Sequence, residues 1–210
     1  MRKLLLYIGI PCSLFACSRS EQPIRTGDLL FQVGRESAMS GAIAAATGRS
    51  EELKFTHVGI AVIGDRTDSV LEATSPGGVR MTALSEFLDK SARIGDRPVV
   101  VAKRLKDTAG LTAAIARARS FIGQPYDYSF RPDNGRMYCS ELVWESYLTP
   151  ARERIFPARP INFRTADGSM PVFWIELFEK LGEEIPEGLP GTNPNDMARD
   201  STLTEVFRWF

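Results

Sequence analysis

The sequence predicts an α+β fold with a mainly antiparallel sheet, and three observations carry that reading. Short β-branched and apolar segments cluster between Gly27 and Leu105, two of them joined by the turn-like Gly64-Asp65-Arg66-Thr67. Apolar residues recur at helical spacing at Leu111, Ala114, Ile115, Ala118, Phe121 and Ile122. The strands are thus grouped mid-chain and flanked by helices, the pattern of an α+β architecture.

Each element has a local reason. Gly27-Asp28 reads as a turn before a buried strand, Leu29 to Val33. Ser37 to Thr47 is small and alanine-rich and stops at Gly48, which fits a short helix with glycine beyond its end. Thr56 to Ile63 and Ser69 to Ala73 read as two strands of a hairpin. Ser75-Pro76-Gly77-Gly78 breaks the chain, before a short strand at Val79 to Met81 and a short helix at Leu84 to Leu88. Pro98 to Leu105 gives another strand. The helix from Leu111 ends at Gly123 and Pro125, and another runs from about Cys139 to Leu148, stopped near Pro150. The proline-rich tail from Ala151 holds one helical stretch, Val172 to Leu181, and then Pro186-Glu187-Gly188-Leu189-Pro190-Gly191, which reads as loop.

The N-terminus reads as an address. Arg2 and Lys3 precede a mainly apolar run, Leu4 to Leu14, and then Leu14-Phe15-Ala16-Cys17. A basic start, an apolar core and a small residue before a cut site form an export signal. With cysteine next, residues 1–16 read as a lipoprotein signal peptide and Cys17 as the lipidated N-terminus. Residues 17–26 then form a polar tether and residues 27–210 a single domain. Ser18 after the cysteine points to the outer membrane, facing the periplasm, in a cell with two membranes. Removing the signal removes Cys12 as well, so Cys139 becomes the only free thiol and no disulfide framework is available.

The remaining ~185 residues suit one domain with a real core. The 26 basic and 26 acidic residues balance to a net charge of zero, and no basic block stands out, which argues against nucleic acid as a partner. With no second long apolar segment, membrane contact rests on the lipid. One histidine and one available thiol cannot supply a usual zinc set, so neither a metal nor another cofactor is expected.

The chemistry converges on two residues. Cys139, in Tyr138-Cys139-Ser140-Glu141-Leu142, sits at a predicted helix start. Unpaired N–H groups and the helix dipole there stabilise a thiolate and an oxyanion. A cysteine so placed either packs as a small hydrophobe or acts as a nucleophile. His57, the sole histidine, is the only imidazole available as its base. Side chains alternate along strands, so His57 and Glu72 share a face if the hairpin loop has two residues, when they are directly opposite, or four, when they are diagonal. An odd loop would separate them. Glu72 would orient the imidazole. Gly123-Gln124-Pro125-Tyr126-Asp127-Tyr128 adds two tyrosines whose hydroxyls can hold an oxyanion or a substrate.

Together, Gly27-Asp28-Leu29-Leu30-Phe31, Thr56-His57-Val58-Gly59-Ile60, Leu71-Glu72-Ala73, Gly123 to Asp127, Tyr138 to Leu142 and Pro190-Gly191-Thr192-Asn193-Pro194 resemble the circularly permuted papain-like amidases of the YaeF/YiiX group. These are relatives of the NlpC-type cell-wall cysteine peptidases. The resemblance implies a permuted papain-like core whose histidine precedes its cysteine, as here. By position it implies Cys139 as nucleophile, His57 as base, Glu72 as orienting residue and Tyr126 as the tyrosine near the nucleophile. Ser140, Tyr138 and Tyr128 are candidate substrate contacts.

The expected activity is amide hydrolysis through a thioester, on a small peptide, amide or cell-wall fragment. One alternative is acyl transfer or acyl hydrolysis on lipids, as in the lecithin:retinol acyltransferase-like enzymes, which use the same thioester. Another is a lipoprotein that binds a ligand without turnover.

Overall fold

The computed structural model describes residues 23–50, 52–64 and 66–210. Cys12, Cys17 and the signal segment lie outside them. The fold begins before the expected boundary at Gly27. Ile24 is buried, and Arg104 donates to the Pro23 carbonyl, so contacts with the domain reach back to residue 23.

Six strands form one antiparallel sheet: β1 (Leu29–Gln32), β2 (His57–Val62), β3 (Ser69–Thr74), β4 (Gly78–Ala83), β7 (Val100–Leu105) and β10 (Leu203–Arg208). Their order is β10-β7-β1-β2-β3-β4. Two-residue hairpins, β5 (Arg93–Ile94) with β6 (Arg97–Pro98) and β8 (Arg159–Pro160) with β9 (Pro190–Gly191), decorate it. The helices are α1 (Ala38–Thr47), α2 (Leu84–Asp89), α3 (Leu111–Ser120), α4 (Cys139–Ser146), α5 (Val172–Leu181) and α6 (Pro194–Ala198).

Period-two alternation splits the buried residues between the two faces of the sheet. Leu29, Phe31, Val58, Ile60, Leu71 and Val101 pack with α3, α4 and α5 in the larger core. Leu30, Ala61, Val70, Val100 and Ala102 pack with Phe87 of α2 on the other. Helix α4 is buried almost all round. It is anchored by Tyr147 Oη donating to the Gly27 carbonyl at 2.9 Å and Trp144 Nε1 donating to the Phe156 carbonyl at 2.9 Å.

Two expectations change. The strand expected at Val79 to Met81 is a full six-residue strand, because Gly78 lets the Gln124–Pro125 turn lie against it: a Cβ there would meet the Gln124 carbonyl oxygen at 2.1 Å. Val79 N–H donates to that carbonyl, and Gly123 N–H to the Val79 carbonyl, so β4 holds the turn leading to Tyr126. The tail, where the sequence marked one helix and the loop Pro186 to Gly191, also supplies α6 and the edge strand β10. A register shift between Glu205 and Phe207 breaks the alternation that would have marked β10 as a strand.

Candidate active site

The β2–β3 ladder pairs Ile60 with Leu71, Ala61 with Val70 and Val62 with Ser69. That is the register of the four-residue alternative, with the last ladder pair one step earlier, so His57 and Glu72 are diagonal neighbours. Continuing the register sets Glu72 opposite Gly59, where a Cβ would lie 3.4 Å from the Glu72 Cβ and 2.4 Å from Val70 Cγ1. The missing side chain leaves the carboxylate room to lean across. Glu72, only 1% exposed, meets His57 Nε2 with Oε2 at 2.6 Å.

Glu72 reaches the other way as well. Its Oε1 accepts from Thr82 Oγ1 at 2.6 Å, and Thr82 Oγ1 accepts from Arg80 Nε at 3.2 Å. Burial alone would raise the Glu72 pKa, but the hydrogen bond and charge of His57 and the Thr82 hydroxyl hold it below the usual value. Thr82 is a site residue that the sequence reading missed. The signal was available in principle: a buried threonine on β4, paired with Val70 and diagonal to Glu72.

His57 and Gly59 share the sheet face of Ala61, and the imidazole lies 5.7 Å from the Phe87 ring. Cys139 belongs to the opposite layer. They meet because His57 is the first residue of β2, at the end of the sheet, where its ring can reach the first residue of α4. With Nε2 engaged by Glu72, Nδ1 is the ring nitrogen left for the thiol. Burial would lower the imidazole pKa, but hydrogen bonds to Cys139 and Glu72, and their charges, outweigh it and raise it to about 10. The imidazolium is 17% exposed, so a proton can be exchanged from one side.

Tyr126 is buried and lines two clefts, one holding Cys139 and the other His57. Burial first, and the nearby Cys139 second, raise its phenol well above the ordinary value, which keeps it a donor. Glu141 follows Cys139 by two residues, within the first turn of α4, and accepts from Tyr138 N–H at 3.3 Å. Burial raises its pKa to about 8, so near neutral pH it is mostly uncharged and does not oppose a thiolate two residues away.

Tyr138 and Ser140 border a pocket beside the thiol. Tyr138 Oη accepts from Thr192 N–H at 3.3 Å. Tyr128 stands apart from that pocket. Its hydroxyl shares a 2.6 Å hydrogen bond with Ser75 Oγ, and its ring sits edge-on to Tyr126. A buried Asp127 accepts from Ser129 N–H, Ser129 Oγ and Arg131 N–H, and so shapes the loop that carries Phe130 at a left-handed φ of 53°. The Phe130 ring thereby packs on Tyr138, Phe163 and Trp174, at centroid distances of 5.3, 5.8 and 5.4 Å.

Residues 23–207 match the model of the permuted papain-like amidase enzymes, YaeF/YiiX, C92 family. The chain belongs to this family. It is 30% identical over 211 residues to the uncharacterized protein YiiX of Escherichia coli strain K12, spanning 98% of this chain and 96% of that protein. Its fold matches the crystal structure of metalloprotein yiiX from Escherichia coli O157:H7, with a TM-score of 0.72 at 27% identity, covering 89% of this chain and 98% of the other. The fold is therefore the permuted papain-like one, with the histidine strand ahead of the cysteine helix in the chain.

Proposed function

We propose that this family member is a cysteine amidase that cleaves an amide bond in a small peptide or cell-wall-derived substrate through a Cys139 thioester. The observation that carries the reading is the buried Glu72 carboxylate on His57 Nε2 at 2.6 Å, with Cys139 near enough to raise the imidazole pKa alongside it. Cys139 Sγ attacks the carbonyl carbon as a thiolate paired with the His57 imidazolium. The tetrahedral oxyanion accepts hydrogen bonds from the Cys139 N–H at the start of α4 and from Tyr126 Oη. As the C–N bond breaks, the imidazolium gives its proton to the departing amine. Neutral His57 then takes a proton from water, whose oxygen attacks the thioester carbonyl. The C–S bond breaks and the acid is released. Glu72 and Thr82 orient the ring throughout.

The O157:H7 relative is named a metalloprotein. Among the described residues of this chain, no group of three His, Cys, Asp or Glu side chains is placed to hold a metal ion, and the mechanism uses none. The N-terminal pattern supports action in the cell envelope, with a lipid on Cys17 as the tether.

One observation favours a second reading, acyl transfer or hydrolysis on lipids: the pocket beside Cys139 is largely apolar. A screen of muropeptides, short peptides and acyl-amides against wild type and Cys139→Ala, with the trapped acyl-enzyme weighed, separates the two. A short acyl or peptidyl adduct lost in Cys139→Ala is expected. A long fatty acyl mass would replace the amidase reading with the lipid one, and turnover unchanged in Cys139→Ala would end both.

A further inference from the structure

Two clefts meet at the site. On one side, His57, Arg35, Ser37 and Ser75 line an open groove of mixed polarity, with Met39 and Ile43. On the other, Cys139 stands at a compact pocket of about 50 Å³ walled by Ile43 and Ala46 of α1, Phe130, Phe163 and Trp174. Thr56, Ile43 and Tyr126 border both clefts. Because the imidazolium hands its proton to the departing amine, the amine half of a substrate belongs in the groove beside His57. The acyl half, left on sulfur, belongs in the pocket.

The pocket is not simply greasy. Among the described residues, six buried side-chain N or O atoms lack a hydrogen-bond partner, and three of them belong to residues lining this pocket: Trp174 Nε1, Ser140 Oγ and Thr192 Oγ1. Ser140 is 0% exposed and Trp174 2%. Buried polar atoms are costly to leave unpaired, and clustering of such atoms at one pocket needs an explanation.

Resting on the amidase reading above, we propose that this pocket is the acyl-side subsite and selects a compact apolar acyl group with hydrogen-bonding atoms of its own. The chemical class is an N-acylated apolar aminoacyl group. Its hydrocarbon side chain meets the aromatic wall, and its amide offers an acceptor to the indole N–H and partners for the hydroxyls. A straight fatty chain would fill the space and leave all three atoms unpaired. A purely polar acyl group would waste the Phe130, Phe163 and Trp174 surface.

Three aldehydes test this without any need for turnover: N-acetyl-leucinal, hexanal and N-acetyl-glycinal. Each adds Cys139 Sγ to its carbonyl carbon, with a proton ending on the oxygen, and the adduct is weighed at equilibrium. N-acetyl-leucinal is expected to occupy Cys139 at roughly tenfold lower concentration than either of the others. Ser140→Ala and Trp174→Phe should each shrink its advantage over hexanal, and Ala46→Phe, which narrows the pocket from a half-exposed helix face, its advantage over N-acetyl-glycinal. Equal occupancy by all three, or tighter hexanal, overturns the proposal. The matching p-nitroanilides keep the two readings apart. Cys139-dependent hydrolysis of all three at one rate sinks the subsite and leaves the amidase. The aldehyde preference without hydrolysis of any anilide sinks the amidase and leaves the pocket.

Discussion

On one side of Cys139, β2, β3 and β4 present polar groups that satisfy one another: Arg80 to Thr82, Thr82 to Glu72, and Glu72 to His57. On the other side, α1, α5 and the loops around Phe130, Phe163 and Thr192 surround a pocket with three buried polar atoms that have no partner. The first region is built on a hydrogen-bonded ladder, which fixes side-chain positions to the register. The second is gathered from five distant stretches of chain. A site whose chemistry is fixed needs the first kind of construction. A site that must receive a ligand can carry the second, because the ligand completes it.

The contrast can be broken by substitution. His57→Ala has the largest expected effect, a loss in kcat/KM on the order of 10⁴-fold, since no second imidazole exists in the chain. An activity assay on the substrate found by the screen measures it, and residual activity within tenfold of wild type would remove His57 from the mechanism. Glu72→Gln is expected to lower kcat by about 10²-fold, as for a general acid–base system that loses its orienting charge. The wild-type imidazolium persists to about pH 10, so the alkaline fall in activity should lie near there and move to lower pH in this variant. An unmoved limb would separate Glu72 from the titration of His57.

Smaller changes sharpen the comparison through stability. Thr82→Val strips a hydrogen bond from a buried carboxylate and should cost about 1–3 kcal/mol in urea melts, whereas Ser140→Ala removes a hydroxyl that bonds nothing and should be neutral or stabilising by about 1 kcal/mol. If both destabilise alike, the two sides of the site are not differently built. The smallest effect concerns Glu141. Its folded pKa of about 8 lies above its ordinary 4.5, so the folded state keeps a proton that the unfolded chain has lost. Stability from this group is full below about pH 4.5 and is lost as pH rises through 8. Glu141→Gln should flatten that decline. The further decline from His57, between 6.5 and about 10, should survive the substitution. Denaturant midpoints across pH read both.

Much of the catalytic half was legible because its geometry is local. A hairpin has a parity, and any even loop sets His57 and Glu72 on one face. A helix start is marked by its own residues, and α4 does begin at Cys139. What resisted reading was whatever depends on a third strand or a distant segment. Thr82 matters only because β4 pairs with β3 in one register. β10 is a strand only because β7 offers it an edge, and Ile24 is buried only because the sheet lies beneath it.

By itself, then, the sequence determined the class of fold, the order of histidine before cysteine and the short-range pairing of His57 with Glu72. These follow from backbone periodicities of two and 3.6 residues, which act over a few positions. The tertiary structure decided that His57 reaches past the end of the sheet to the helix in the opposite layer, and that Ala46, Phe130, Phe163 and Trp174 close a pocket beside the thiol. Packing between residues so far apart in the chain leaves no periodic trace in either segment, so no local pattern could have announced it.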